Sequence, residues 1–223
     1  MATQDPISYN VDDIVRDIRI ALDNNMSSKA LTDLGDVDTL SLDDIVKSKI
    51  CPAARIVETA APYLLLGRGE AFTGTIYWPK SVGIGSGHIQ LPDDFLRLVC
   101  FQMSDWDRPV FNAISEDDPD YIRQSSNYGG IRGNTHRPVV AIVHWSTGLE
   151  LEFYSCSAGA NVYVKRARYI PIPEIKAGKV NLCEKLYDAI MLKAASMVAQ
   201  TYQEKDLATL LEGQCKELLA VNT

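Results

Sequence analysis

Apolar residues recur at helical spacing near the start of the chain. Val11, Ile14, Val15, Ile18 and Leu22 fall on one face, and Asn10 or Asp12 supplies a side-chain cap at the N-terminal end. This predicts a helix ending near Asn24 and Asn25, then a linker or a short helical turn over 31–40. A second helix is predicted from Ser41, because Ser41-Leu42-Asp43-Asp44 forms a capping box. Its two acids sit where the helix macrodipole favours negative charge. Leu42, Ile45, Val46 and Ile50 make one stripe, continued by Ala53, Ile56, Val57 and Ala60. Pro52 falls between the halves. It lacks an amide proton and clashes one turn back, which predicts a kink or a restart, and Pro62 ends the segment.

The period changes after Gly67. Short alternating runs follow at His88–Leu91, Leu96–Met103, Val139–Trp145, Leu149–Tyr154 and Val162–Arg168. Val139 to Val143 is almost wholly apolar and β-rich, as in a strand covered on both faces. Ser146-Thr147-Gly148 is a turn signal, so Ala141–Tyr154 reads as a hairpin. The polar stretch 114–134 is a long loop with a short helical turn after Pro119. Pro171 and Pro173 close the β zone.

Helical spacing then returns. Leu182, Cys183, Leu186, Tyr187, Ile190, Met191, Ala194, Ala195 and Val198 form an apolar face two residues wide on every turn. A face that broad calls for two neighbours, and another subunit could supply one of them. Leu207, Leu210, Leu211, Cys215 and Leu218 give a narrower stripe after Gln203. The expected fold is α+β, a helical bundle formed by the N- and C-terminal helices with an inserted antiparallel β module. The expected parts are residues 1–66, 67–178 and 179–223.

Composition narrows the picture. The 223 residues are 46% apolar and 23% charged, an ordinary globular mixture and not that of a disordered chain. The net charge of −7 argues against binding nucleic acid through a basic surface. That charge is uneven: residues 1–60 carry 11 acids and 6 bases, residues 61–180 carry 12 of each, and residues 181–223 carry 6 and 4. The five cysteines are scattered, with no CxxC pair, and read as reduced, mostly buried thiols. The first residues lack a basic flank and an apolar core, so they do not read as a signal peptide. Apolar runs stay far short of the roughly 20 residues needed to span a bilayer. A soluble intracellular product is expected.

The chemistry-bearing residues are sparse. Gly83-Ile84-Gly85-Ser86-Gly87 suggests a phosphate loop, but the Lys-Ser/Thr and the following helix are missing, which favours a β-turn. His88, His136 and His144 are the candidate bases for a nucleophile, and no Gly-x-Ser-x-Gly elbow accompanies them. His144, in an apolar strand, reads as a structural histidine. The histidine spacing does not suit a metal site, and Glu116, Asp117, Asp118 and Asp120 lack the alternation of a calcium loop. No catalytic, metal or cofactor site is expected. Lys165, Arg166 and Arg168 form the one basic cluster, with the two arginines on one strand face. Trp106 and Arg108, before Pro109, read as a hairpin corner or as a protein-binding anchor.

Two stretches carry a resemblance. Gly87-His-Ile-Gln-Leu-Pro-Asp-Asp-Phe-Leu-Arg-Leu-Val99, followed by Met103-Ser-Asp-Trp-Asp-Arg-Pro-Val110, is similar to the head-to-tail adaptor proteins of tailed bacteriophages, of the short-tailed and crAss-like kinds. The flanking order is also similar. Helices end at Ala61-Pro62-Tyr63-Leu64, and a C-terminal helix runs into Glu204-Lys-Asp-Leu207. The resemblance implies a structural virion protein without catalytic residues. It would be made in the host cytoplasm and located at the head–tail junction. It would form a cyclic homo-oligomer, a dodecamer, docked on the portal protein and joined to further tail or ring proteins. DNA would only pass through the channel, and no membrane is involved. In such adaptors the C-terminal region binds the portal, which here points to Leu207, Leu210, Leu211 and Leu218. Truncation at Gly213 is then expected to abolish portal binding and leave the fold. Acidic terminal zones lining the channel would repel passing phosphates. Two other classes remain open: a hydrolase with a dispersed Ser/Cys-His site, and a binding module that never assembles.

Overall fold

A computed structural model describes residues 7–25, 42–78, 85–126, 128, 130–156 and 162–220. The predicted linker over 31–40, Ser41 and Gly83-Ile84 lie outside these residues. The chain divides into two compact units, one formed by residues 1–67 with 172–223 and the other by residues 68–171. The fold is α+β, with a largely antiparallel β module inserted between N- and C-terminal helices; the short strand Ile114–Ser115 pairs parallel with Val140–Trp145. Residues 172–178, assigned from sequence to the β module, group with the helices.

The helical unit opens with strand β1 (Ile7–Asn10) and helix α1 (Val11–Asn25). Asn10 fills the cap, accepting a hydrogen bond from the Asp12 amide at 3.3 Å. Val11, Ile14, Val15, Ile18 and Leu22 are all buried, as their spacing requires. Helix α2 (Leu42–Ala60) contains Pro52 and does not restart there. Val46, Ile50, Ala53, Ala54 and Val57 bury on both sides of the proline, so tertiary packing offsets the hydrogen bond that Pro52 cannot make. Of the expected stripe, Ile56 and Ala60 are exposed instead, and the buried face turns to Ala54 and Glu58.

The broad apolar stretch after Pro173 is not one helix. Strand β9 (Lys179–Leu182) pairs antiparallel with β1, setting Ile7 opposite Leu182 and Tyr9 opposite Val180. Leu186 belongs to a 3₁₀ turn (Glu184–Leu186), and α4 (Tyr187–Thr201) begins only after it. Pairing with a strand more than 170 residues away extends this segment, which local spacing could not reveal. Tyr9 stacks on Tyr187 at 4.5 Å, and the Tyr187 hydroxyl donates to Asp17 at 2.8 Å.

Helix α4 is the centre of the unit. It packs on α1, on α2 and on α5 (Lys205–Leu219), and its Ala189, Ile190, Met191, Ala194, Ala195, Ser196, Val198 and Ala199 are buried. Leu182, Cys183 and Leu186 are buried as well. The chain's own helices therefore enclose the broad face, and the expected share for another subunit is absent from it. The small residues Ala194, Ala195 and Ala199 suit this three-sided burial, because they let neighbouring backbones approach closely.

The β unit is a sandwich. One sheet has the order β2 (Glu70–Ala71), β8 (Val164–Pro171), β4 (Phe95–Met103), and the other β3 (Gly87–Gln90), β7 (Gly148–Phe153), β6 (Val140–Trp145), β5 (Ile114–Ser115). Both contribute to one core. Leu98, Phe101, Met103, Ala167 and Tyr169 enter from the first sheet, and Ile89, Val140, Leu151 and Phe153 from the second. β6 and β7 form the expected hairpin, closing as Trp145 opposite Gly148. Val140, Ala141 and Val143 are buried, in keeping with a strand covered on both faces. Helix α3 (Pro119–Arg123) is the expected short turn, capped by Asp118, which accepts from the Asp120 amide at 2.8 Å. Gly85 has φ of +93°, and a Cβ there would lie 1.7 Å from the Cys156 carbonyl, so a turn and not a phosphate cradle explains that glycine.

Candidate interaction surfaces

The leucine stripe of α5 splits in two. Leu207 and Leu211 are buried, and with Cys215 they form the i, i+4, i+8 row that seals α5. The Cys215 thiol donates to the Ala189 carbonyl at 3.3 Å, and the Ser196 hydroxyl to the Ala208 carbonyl at 2.9 Å. Leu207 and Leu211 are thus interior residues and cannot form a portal-binding face. Leu210 and Leu218 remain, 49% and 48% exposed. Beside them Glu212 meets Lys193 at 3.4 Å and Lys216 at 3.5 Å, and the Lys193 charge holds its carboxyl below the usual range. Truncation at Gly213 would remove Cys215 along with Leu218, so it would disturb packing as well as any binding surface.

Trp106 is not an exposed anchor. It is buried in the sandwich core, edge-on to Phe101 at 5.6 Å and to Phe153 at 6.5 Å. A large aromatic after a turn fills a core as readily as it marks an interface, and sequence alone does not separate the two. Arg108, two residues on, is exposed. The corner is shaped by paired Phe101–Val110 backbone hydrogen bonds of 2.8 Å and by the Gln102 amide donating to the Trp106 carbonyl at 3.1 Å.

Each histidine meets a carboxylate. His88 Nε2 lies 3.5 Å from buried Glu150, His144 Nδ1 lies 3.3 Å from Glu116, and His136 contacts Asp107. Contrary to its apolar strand context, His144 is exposed, because β6 runs out of the core before its end. Among the described residues, no serine or cysteine side chain hydrogen-bonds to these rings, and no cluster of His, Cys, Asp or Glu could hold a metal ion. The five cysteines are unbridged, and four are buried.

Strand pairing completes two further surfaces. On the first sheet Arg166 stands opposite Gln102, Arg168 opposite Cys100, and Arg97 opposite Ile170. Cross-strand partners share a face, so the three arginines line the side away from the core. Lys165, exposed beside them, is the extra residue of a bulge between Val164, opposite Met103, and Arg166, opposite Gln102. The Arg168 guanidinium donates to the Gly69 carbonyl at 3.2 Å, and partial burial lowers the pKa of Arg97.

On the second sheet the residues facing away from the core are aromatic and acidic. Tyr77, His88 and Trp145 stack in a column, with centroids 5.3 and 5.2 Å apart. Tyr77 and Trp145 are exposed. Glu152 accepts from Trp145 Nε1 and from the Tyr121 hydroxyl, each at 3.1 Å, and from the Tyr154 hydroxyl. Burial, then the Glu152 carboxylate, push the Tyr154 phenol far up. Tyr121 packs with Ala141, Val143 and Tyr154, so α3 covers part of this face and brings Asp117 and Asp120 to its surface.

No protein-family model matches the chain, and no curated protein matches it. Among the described residues, no helix is long and apolar enough to cross a membrane.

Proposed function

We propose that this chain is a structural virion protein, a head-to-tail adaptor that assembles as a cyclic homo-oligomer, a dodecamer, between the capsid portal and the tail. The observation that carries this reading is where the resembling stretch falls in the fold. Gly87–Val99 spans β3, a turn at Pro92–Phe95 and the start of β4, and Met103–Val110 returns alongside it through the Phe101–Val110 pair. That module is inserted between helices drawn from both ends of the chain, the same order of parts that the resemblance implies. The apolar face of α4 lends no support, since its own unit covers it. Support for an assembly role comes instead from exposed apolar residues elsewhere: Leu210 and Leu218 on α5, and Tyr77 and Trp145 on the sandwich.

In this reading α5 offers Leu210 and Leu218 to the portal, and Arg108 offers a charged contact at the sandwich corner. The helical unit carries 18 acids against 12 bases, a net of −6, and keeps passing DNA from adhering to the channel wall. Further tail or ring proteins bind the opposite end of the ring. Mass photometry of the purified chain, with and without the portal protein of its virus, tests the proposal, and cryo-EM views down the particle axis give the copy number. A chain that remains monomeric with the portal present would overturn it and favour a binding module that does not assemble.

A further inference from the structure

The two outer faces of the β sandwich carry opposite charge. On the first sheet the outward positions are Arg97, Arg166 and Arg168, with Ala71, Cys100, Gln102 and Ile170 between them. Arg166 and Ala71 are exposed, Arg97 and Arg168 half-buried, and Cys100, Gln102 and Ile170 buried. No carboxylate stands among these positions. Successive outward residues on a strand lie roughly 7 Å apart, so Arg166 and Arg168 present two cations at carboxylate spacing. Neither has an ion-pair partner among the described residues. On the second sheet the outward side carries buried Glu150 and half-buried Glu152. The β5–α3 segment over it adds the exposed acids Glu116, Asp117 and Asp120 and half-buried Asp118, with Arg123 paired to Asp120 at 2.7 Å. Exposed Tyr77 and Trp145 complete that side.

Both sheets bury their inward residues in one core, so these charged surfaces lie on opposite sides of one rigid sandwich. We propose that the arginine face of one copy docks on the acidic, aromatic face of the next copy, making a heterologous head-to-tail contact. A surface complementary to the far side of its own molecule builds rings or filaments, not isologous pairs. Arginine suits this pairing, since its planar fork engages carboxylates bidentately and stacks on exposed aromatic rings. The inference rests on the ring reading and specifies which surfaces join the copies.

The test uses the whole chain in two variants, Arg166→Glu/Arg168→Glu and Glu116→Lys/Asp117→Lys, with circular dichroism to verify folding. Each variant alone should self-associate about tenfold more weakly or worse. An equimolar mixture should recover assembly, because the intact acidic face of the first variant meets the intact basic face of the second, and the two charge-reversed faces again carry opposite charge. Trp145→Ala, a change at an exposed side chain, should also weaken assembly, and raising the salt to about 1 M should dissociate it. Wild-type rings accompanied by folded variants that assemble equally well would overturn the sandwich contact and leave the ring reading standing. A wild-type chain that stays monomeric at every concentration would overturn both. Copies that bind duplex DNA through the arginines while remaining monomeric would assign that face to nucleic acid and also overturn the contact.

Discussion

Glu58 lies near the end of α2 with only 3% of its surface exposed, and its carboxylate accepts a hydrogen bond from the Cys183 backbone. Burial penalises the charged form more than that hydrogen bond rewards it, raising the pKa from 4.5 to about 7. The folded state therefore holds this proton more tightly than the unfolded chain does. The stability it contributes is fully present below pH 4.5 and is lost as the pH rises through 7. A rise of that size corresponds to roughly 3 kcal/mol between the two limits. Glu58→Gln keeps an acceptor for the Cys183 amide and stays neutral at every pH. The variant should match wild type near pH 4.5 and exceed it by up to about 3 kcal/mol at pH 8. Urea unfolding followed by far-UV circular dichroism reports on the helical unit, whereas all three tryptophans lie in the β unit. Parallel stability–pH curves for the two proteins would refute the reasoning, since every other titrating group is common to both.

Further expectations can be checked with single substitutions. Leu211→Ala should cost about 3 kcal/mol in the same unfolding assay, because Leu211 is wholly enclosed. Leu210→Ala should leave stability nearly unchanged and weaken portal binding in a pull-down. Equal destabilisation by the two would contradict the split of the α5 stripe. Ala177 and Gly178 both have positive φ, 51° and 72°, in the two-residue turn leading into β9. Ala177→Asn creates the Asn-Gly pair such turns prefer and should raise stability by about 0.5–1 kcal/mol in a thermal melt. A lower melting temperature would show that the turn is not held in that conformation.

Some of the proposed surface was legible in advance and some was not. The shared face of Arg166 and Arg168 follows from strand alternation alone, but adding Arg97 required the bulged β4–β8 register. The Tyr77–His88–Trp145 column joins residues up to 68 positions apart, and no local spacing predicts it. Trp106 shows the reverse limit. Its neighbours Asp107, Arg108 and Pro109 are polar or turn-forming, so the local pattern fitted a hairpin corner or an exposed anchor equally, whereas long-range contacts with Phe101 and Phe153 draw it into the core.

Local periodicity determined what local energetics control: α1 with one of its two candidate caps, the inward Val46, Ile50, Ala53 and Val57 of α2, the β6–β7 hairpin, and the α+β order of helices around a β insert. Each depends on neighbours within a few residues, where hydrogen bonds, caps and turn conformations are settled. Tertiary structure alone decided that Leu182 ends a strand paired with Ile7, that α2 runs through Pro52, and that three helices of the same chain enclose α4. A hydrophobic face records the need for a covering, since water is excluded from it at similar gain whatever lies opposite. It does not record which chain provides that covering.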